Sequence, residues 1–152
     1  MIEWMILPFK RYFDFKGRSR RMEYWSFALL NIIVYIVLGG LAVATGAPLG
    51  AFTGAEMTEM PELGFGFYIF AGLLGLWGLA VIIPAIAVVV RRLHDRDMSG
   101  WWYLGLILVS WIPIVGLVAV IAFLVLMFLP GTVGPNRFGP DPKDPSSAEV
   151  FS

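Results

Sequence analysis

The sequence has no cysteine, a single histidine, and no charged side chain in any of three long apolar runs. The first absence excludes disulfides, thiolate nucleophiles and cysteine-held metals. With so few nitrogen and sulfur donors, a transition-metal site is not expected. The third absence argues against proton or ion transport, which relies on ionisable groups inside the membrane. Charged residues make up 14% of the 152 residues and hydrophobic ones 59%, where a soluble domain carries roughly a quarter charged. The mean hydropathy is +0.79, and an apolar core of that size would exceed what its polar shell could cover. The formal net charge is zero, so no nucleic-acid partner is expected.

The charge that is present is unevenly placed. Nine of the eleven Lys and Arg residues fall in two blocks, Lys10 to Arg21 and Arg91 to Arg96. Cytoplasmic segments of membrane proteins collect Lys and Arg, so both blocks are expected on the cytoplasmic face, with the N-terminus inside. Glu56, Glu59 and Glu62 lie in a segment without a base, which is expected outside.

The first run, 24–45, is long enough to cross a hydrocarbon core of about 30 Å. It exceeds the apolar stretch of a cleaved signal peptide and is read as a span. The second run, 65–90, carries Ala71, Gly75, Gly78 and Ala85 on one face at three- and four-residue spacing. Small residues so placed let helix backbones approach, within the chain or in a homodimer. The third run, 101–129, would be about 43 Å long as one helix, more than a crossing needs. Pro113, followed by Gly116, is the expected break.

These runs predict an all-α, polytopic helical membrane protein with three spans, the third long and kinked at Pro113, and the C-terminus outside. The alternative is four helices with a hairpin near Pro113, which returns the C-terminus to the cytoplasm. Residues 1–13 read as a helix lying in the interface, with Pro8 able to start a helix but not to sit within one. Residues 1–145 then form one integral-membrane domain, and the proline-rich end ranks 146–152 as a disordered tail.

Three polar constellations remain. In the first, Arg18, Arg21 and Trp25 share a helix face, and Arg20 and Glu23 are one turn apart and can pair. In the second, Arg91, Arg92, His94 and Asp95 precede a Ser99-Gly100-Trp101-Trp102 helix start, with Asp97 or Ser99 as its cap. His94 beside Asp95 invites a general-base reading, yet neighbours on a helix point about 100° apart and do not face each other. The third, Asn136 to Pro142, is polar and turn-rich. On the cytoplasmic side, Arg137 and Asp141 would complete one cluster with Arg18, Arg21, Arg91, His94 and Asp95.

The blocks Gly17-Arg18-Ser19-Arg20-Arg21-Met22-Glu23-Tyr24-Trp25, Arg91-Arg92-Leu93-His94-Asp95 through Trp102, and Pro130-Gly131-Thr132 through Pro142 resemble the bacterial inner-membrane proteins of domain-of-unknown-function family 805. The resemblance spans about Phe13 to Pro142. It implies a small multi-pass protein of the bacterial inner membrane and brings no assigned activity. Where that family has Thr-Gly and a basic or polar residue before Ser-Gly-Trp-Trp, this chain reads Arg96-Asp97-Met98.

The expected function is binding or scaffolding of an anionic lipid or acidic partner at the cytoplasmic face. Arginine forks suit phosphate and carboxylate, and the binding candidates are Arg18, Arg21, Glu23, Arg91, Arg92, His94, Asp95, Asn136 and Arg137. No cofactor is expected. The alternative is a membrane-bound enzyme acting on a lipid headgroup, with His94 as base and Asp95 as its orienter.

Overall fold

The computed structural model describes residues 1–46 and 63–144. The glutamates at 56, 59 and 62 and the expected tail 146–152 lie outside the described residues. Five helices form among them and no strand: α1 (Ile2–Lys10), α2 (Arg21–Gly46), α3 (Phe65–His94), α4 (Trp101–Val109) and α5 (Val115–Phe128). An isolated bridge joins Asn136 and Gly139. The all-α expectation holds.

Two helices, α2 and α3, are long and apolar enough to cross a membrane. The third run is not one kinked helix. It forms α4 and α5, which pack together as an antiparallel hairpin, so the three-span arrangement is not confirmed. Proline removes an amide and forbids the continued helix. The turn goes further: Ile114 adopts φ 68° and ψ −57°, a strained γ-turn closed by the Val115 amide on the Pro113 carbonyl at 2.7 Å. Gly116 approaches the Ser110 carbonyl so closely that a Cβ would lie 2.5 Å from its oxygen.

Contacts divide the chain into two units, Met1–Ala28 with Ile83–Ser152, and Leu29–Ile82. In the second unit, α2 and α3 run antiparallel. Trp77 Nε1 donates to Asn31 Oδ1 at 3.1 Å, and the Gly64 amide donates to the Gly46 carbonyl at 3.0 Å. Of the small-residue face, Gly78 would bring a Cβ to 3.8 Å from the Tyr35 hydroxyl, while Gly75 has open space beside it. A tight backbone approach among the described glycines of this unit is instead at Gly46 and Gly64.

In the first unit, Val89, Leu93 and Met127 form a buried core, with Tyr24, Trp25, Met98, Tyr103, Phe123 and Leu126 packed against it. Trp25 stacks on Phe128 at 4.1 Å. Helix α1 docks through Phe9, whose ring meets Phe27 edge-on at 5.4 Å, and leaves Ile2 and Ile6 exposed. Pro8 lies inside α1, buried, contrary to the expectation that it could only begin a helix. It sits late in a nine-residue helix and forfeits one backbone bond, and the Arg11 amide still reaches the Leu7 carbonyl at 3.0 Å.

Candidate functional site

Helix α3 ends in Arg91, Arg92 and His94, where cations offset the negative end of the helix dipole. The chain leaves the helix through a Schellman turn. The Met98 amide bonds the Leu93 carbonyl and the Asp97 amide the His94 carbonyl, both at 3.0 Å. Asp97 takes the left-handed position, φ 57°, which aspartate tolerates better than most residues because its short polar side chain bonds locally. Gly100 occupies the N-cap position of α4, and of the two expected caps Ser99 is the one that reaches the helix start, its Oγ accepting from the Trp101 amide at 3.4 Å.

The two basic blocks meet here, mostly out of contact with water. Arg18, Glu23, Arg91, Arg92 and Asp95 are all buried, with Arg91 and Arg92 fully so. Arg91 Nη2 donates to Glu23 Oε1 at 2.6 Å, and the Ser19 hydroxyl donates to Glu23 Oε2 at 2.7 Å. Asp95 takes Arg18 Nε on one oxygen at 3.0 Å and Arg92 Nη1 on the other. Three guanidinium groups thus face two carboxylates. The excess charge is met by carbonyl groups, since Arg18 donates to Thr132 at 2.5 Å and Gly134 at 2.6 Å, and Arg91 to the Asp14 carbonyl.

Arg92 and two further arginines close the end of α5, whose last carbonyls have no partner within the helix. Arg92 donates to the Leu129 carbonyl, Arg21 to Phe128 at 3.0 Å and Arg96 to Pro130 at 2.6 Å. The tail then folds across the cluster. The Thr132 amide bonds the Asp95 carbonyl at 2.8 Å, and Asn136 Nδ2 donates to the His94 carbonyl at 2.9 Å. Gly131 lies against the Asp95 carboxylate so tightly that any Cβ would overlap it. Arg137 pairs with Asp97 at 3.1 Å near the surface, and Phe138 stacks on His94 with ring centroids 3.9 Å apart.

Two carboxylates outside the helices are tuned by local bonds. Burial alone would raise the Asp14 carboxyl, but Arg11, at 2.7 Å, and the Lys16 amide hold it below the ordinary range. Asp141 is held low chiefly by the Lys143 amide and also by the Gly134 amide.

The structure therefore gathers Arg18, Arg21, Glu23, Arg91, Arg92, His94, Asp95, Asn136 and Arg137 at one end of the first unit. Their roles within it differ from those the spacing suggested. Glu23 binds Arg91, while Arg20 lies over the Trp4 ring at 5.7 Å. Asp95 is held by Arg18 and Arg92, and His94 Nδ1 meets the Gly17 carbonyl at 3.2 Å, so the pair needed for a base and its orienter is not formed. Ser19, Gly131 and Thr132 were not singled out. Ser19 and Glu23 are four residues apart, a spacing at which side chains on one helix face can meet, and this is the one local signal for Ser19. Among the described residues no three His, Asp or Glu side chains converge as metal ligands.

No solved structure matches the chain. Two curated proteins of Escherichia coli (strain K12) align over nearly its whole length. "Inner membrane protein YhaH" is 38% identical, covering 93% of this chain and 98% of its own. "Inner membrane protein YhaI" is 33% identical, covering 93% and 97%. The "Uncharacterized protein YiiR" of the same organism is 28% identical over 87% of this chain and 88% of its own. The family described as "Protein of unknown function (DUF805)" matches residues 12–140, a range that includes the nine gathered residues from Arg18 to Arg137. The chain belongs to the DUF805 family.

Proposed function

We propose that this is an inner-membrane scaffold whose cytoplasmic end is a preformed polar plate, and that its outward-facing cations hold anionic headgroups or an acidic partner. The observation that carries this reading is the burial of Arg18, Arg91 and Arg92 against carboxylates and carbonyls. Forks engaged in this way hold the fold and are not free for a ligand. Contact with a ligand falls instead to the exposed cations Lys10 and Lys16, and to the donors of exposed Arg21 that its bond to the Phe128 carbonyl leaves over.

In this reading α2 and α3 cross the membrane fully, and the α4–α5 hairpin enters from the cytoplasmic side and returns. The arms, with 9 and 14 residues, are about 14 and 21 Å long, against a core of about 30 Å. Backbone at membrane depth must satisfy its own amides. The turn supports this: Ser110, Ile112, Val115 and Gly116 amides all bond nearby carbonyls at 2.7–3.0 Å. Both the N-terminus and the tail are then cytoplasmic.

The test is co-purification of lipid and protein with the variant Lys10→Gln, Lys16→Gln, which spares the Arg21 bond to α5. These side chains lie outside the buried pairs, so the variant inserts and folds but carries less phosphatidylglycerol or acidic partner than the parent. Equal recovery of both from parent and variant contradicts the reading.

A further inference from the structure

A cavity of about 420 Å³ lies beside the plate, lined by Phe15, the last turns of α3, the α3–α4 turn and the inner face of α4. Its wall has a direction. At one end stand His94 and Ser99, and Ile86, Val90, Leu104 and Ile107 continue it along the two helices. From His94 to Ile86 is about 12 Å along α3. None of the lining residues carries a formal negative or permanent positive charge, and Leu104 and Ile107 are partly exposed, at 46% and 39%, which opens the cavity sideways. A space that is polar at one end, apolar at the other and open to the side suits one molecule of a membrane amphiphile.

The polar end specifies the head. The Gly17 carbonyl can only accept, so the 3.2 Å contact fixes the proton of a neutral His94 ring on Nδ1. Nε2 then presents a lone pair, and it has no partner among the described residues and is not sealed within protein. Ser99 Oγ faces the Trp101 amide as an acceptor, which leaves its own hydrogen to give. One acceptor and one donor at the same end match a hydroxyl, which donates to the first and accepts from the second. A phosphate or carboxylate would have no counter-charge in the lining.

We infer that this cavity binds an uncharged lipid alcohol, a diacylglycerol, with its free hydroxyl between His94 Nε2 and Ser99 Oγ and one acyl chain running toward Ile86 and Ile107. Ile86, Val90, Leu104 and Ile107 make an aliphatic wall that suits a flexible chain, and the Phe15, Trp101 and Tyr103 rings of the lining are the contacts an aromatic alcohol would use instead. This site is separate from the exposed cations of the proposed scaffold, and either reading can fail without the other.

The test uses the full-length protein in dodecylmaltoside micelles doped with radiolabelled dioleoylglycerol, or with its methyl ether, and counts the lipid that elutes with the protein. The wild type retains the alcohol about tenfold more than the ether, because the ether cannot donate the hydrogen bond. His94→Phe removes that preference. Ile107→Trp, which fills the apolar end, reduces retention of both lipids, and Lys143→Gln, at an exposed position away from the lining, leaves retention unchanged. Equal retention of alcohol and ether by the wild type overturns the inference, whatever the variants do. So does stronger retention of phosphatidylglycerol or of a short-chain ubiquinol than of dioleoylglycerol.

Discussion

Arg18 and Asp95 lie 77 residues apart in the chain and meet in a buried ion pair at 3.0 Å. Asp95 also holds Arg92, and its backbone carbonyl receives the Thr132 amide. One residue at the end of α3 thus ties together the entry to α2, the exit from α5 and the tail. Buried pairs of this kind give little net stability over an apolar replacement, but they are costly to break by halves.

The Arg91–Glu23 pair follows the same logic. Both side chains are almost wholly buried, so Glu23→Ala alone or Arg91→Ala alone leaves an unpaired charge in the interior. Each is expected to destabilise by roughly 3–5 kcal/mol. The double variant Glu23→Leu, Arg91→Met is expected to recover most of that loss. Thermal unfolding in detergent of the parent, both single variants and the double variant checks this, and fully additive losses would contradict it.

Gly131→Ala tests how the tail is seated. A Cβ at residue 131 would occupy the space of the Asp95 carboxylate, so either the tail lifts or the Arg18–Asp95–Arg92 set shifts. A loss of about 1–3 kcal/mol is expected, with faster tryptic cleavage at Arg137 and Lys143. Cleavage at the parent rate would show that the tail is not held at this point.

The pH response of the tail has a defined sign. The Lys143 and Gly134 amides hold the Asp141 carboxyl below its ordinary value of 3.8. A carboxyl lowered on folding contributes stability that is complete above the unfolded value and is lost as pH falls through the lower folded one. A spin label on Val133→Cys, at an exposed position in a chain without other thiols, is expected to keep constant mobility from pH 7 to about pH 5. It should loosen only below about pH 4. Asp141→Asn is expected to remove that step.

Asp97 occupies a left-handed position that costs most side chains roughly 1–2 kcal/mol. Asp97→Ala is therefore expected to destabilise by about 1 kcal/mol, whereas Asp97→Gly is expected to match the parent or exceed it. Because the Arg137 pair is exposed, its loss in both variants contributes little. Equal melting temperatures for Ala and Gly would show that the turn is not under this strain.

Local features of the fold were legible and long-range ones were not. The apolar runs located α2 and α3, because length and the exclusion of charge are properties of the segment itself. Pro113 marked a break, but a kink and a reversal begin with the same missing amide. The choice lies in the approach of Gly116 to Ser110 and the backbone of Ile114, which depend on packing. The cluster members were visible as polar residues flanking apolar runs. Their pairing was not, since Glu23 had a local candidate in Arg20 and took Arg91, 68 residues away. The small-residue face of α3 was equally clear in the sequence, yet Gly75 faces open space and the tight approach is made by Gly46 and Gly64.

The central claim is that the hairpin returns the tail to the side of the membrane that holds the two basic blocks. The absence of cysteine permits a direct measurement with single-cysteine variants Lys16→Cys, Lys143→Cys and Trp111→Cys, labelled by a membrane-impermeant maleimide in right-side-out and inverted vesicles. The account predicts that residues 16 and 143 label only in inverted vesicles and that residue 111, at the hairpin tip, labels in neither. Labelling of residue 143 in right-side-out vesicles, with residue 16 labelled only in inverted ones, would contradict it.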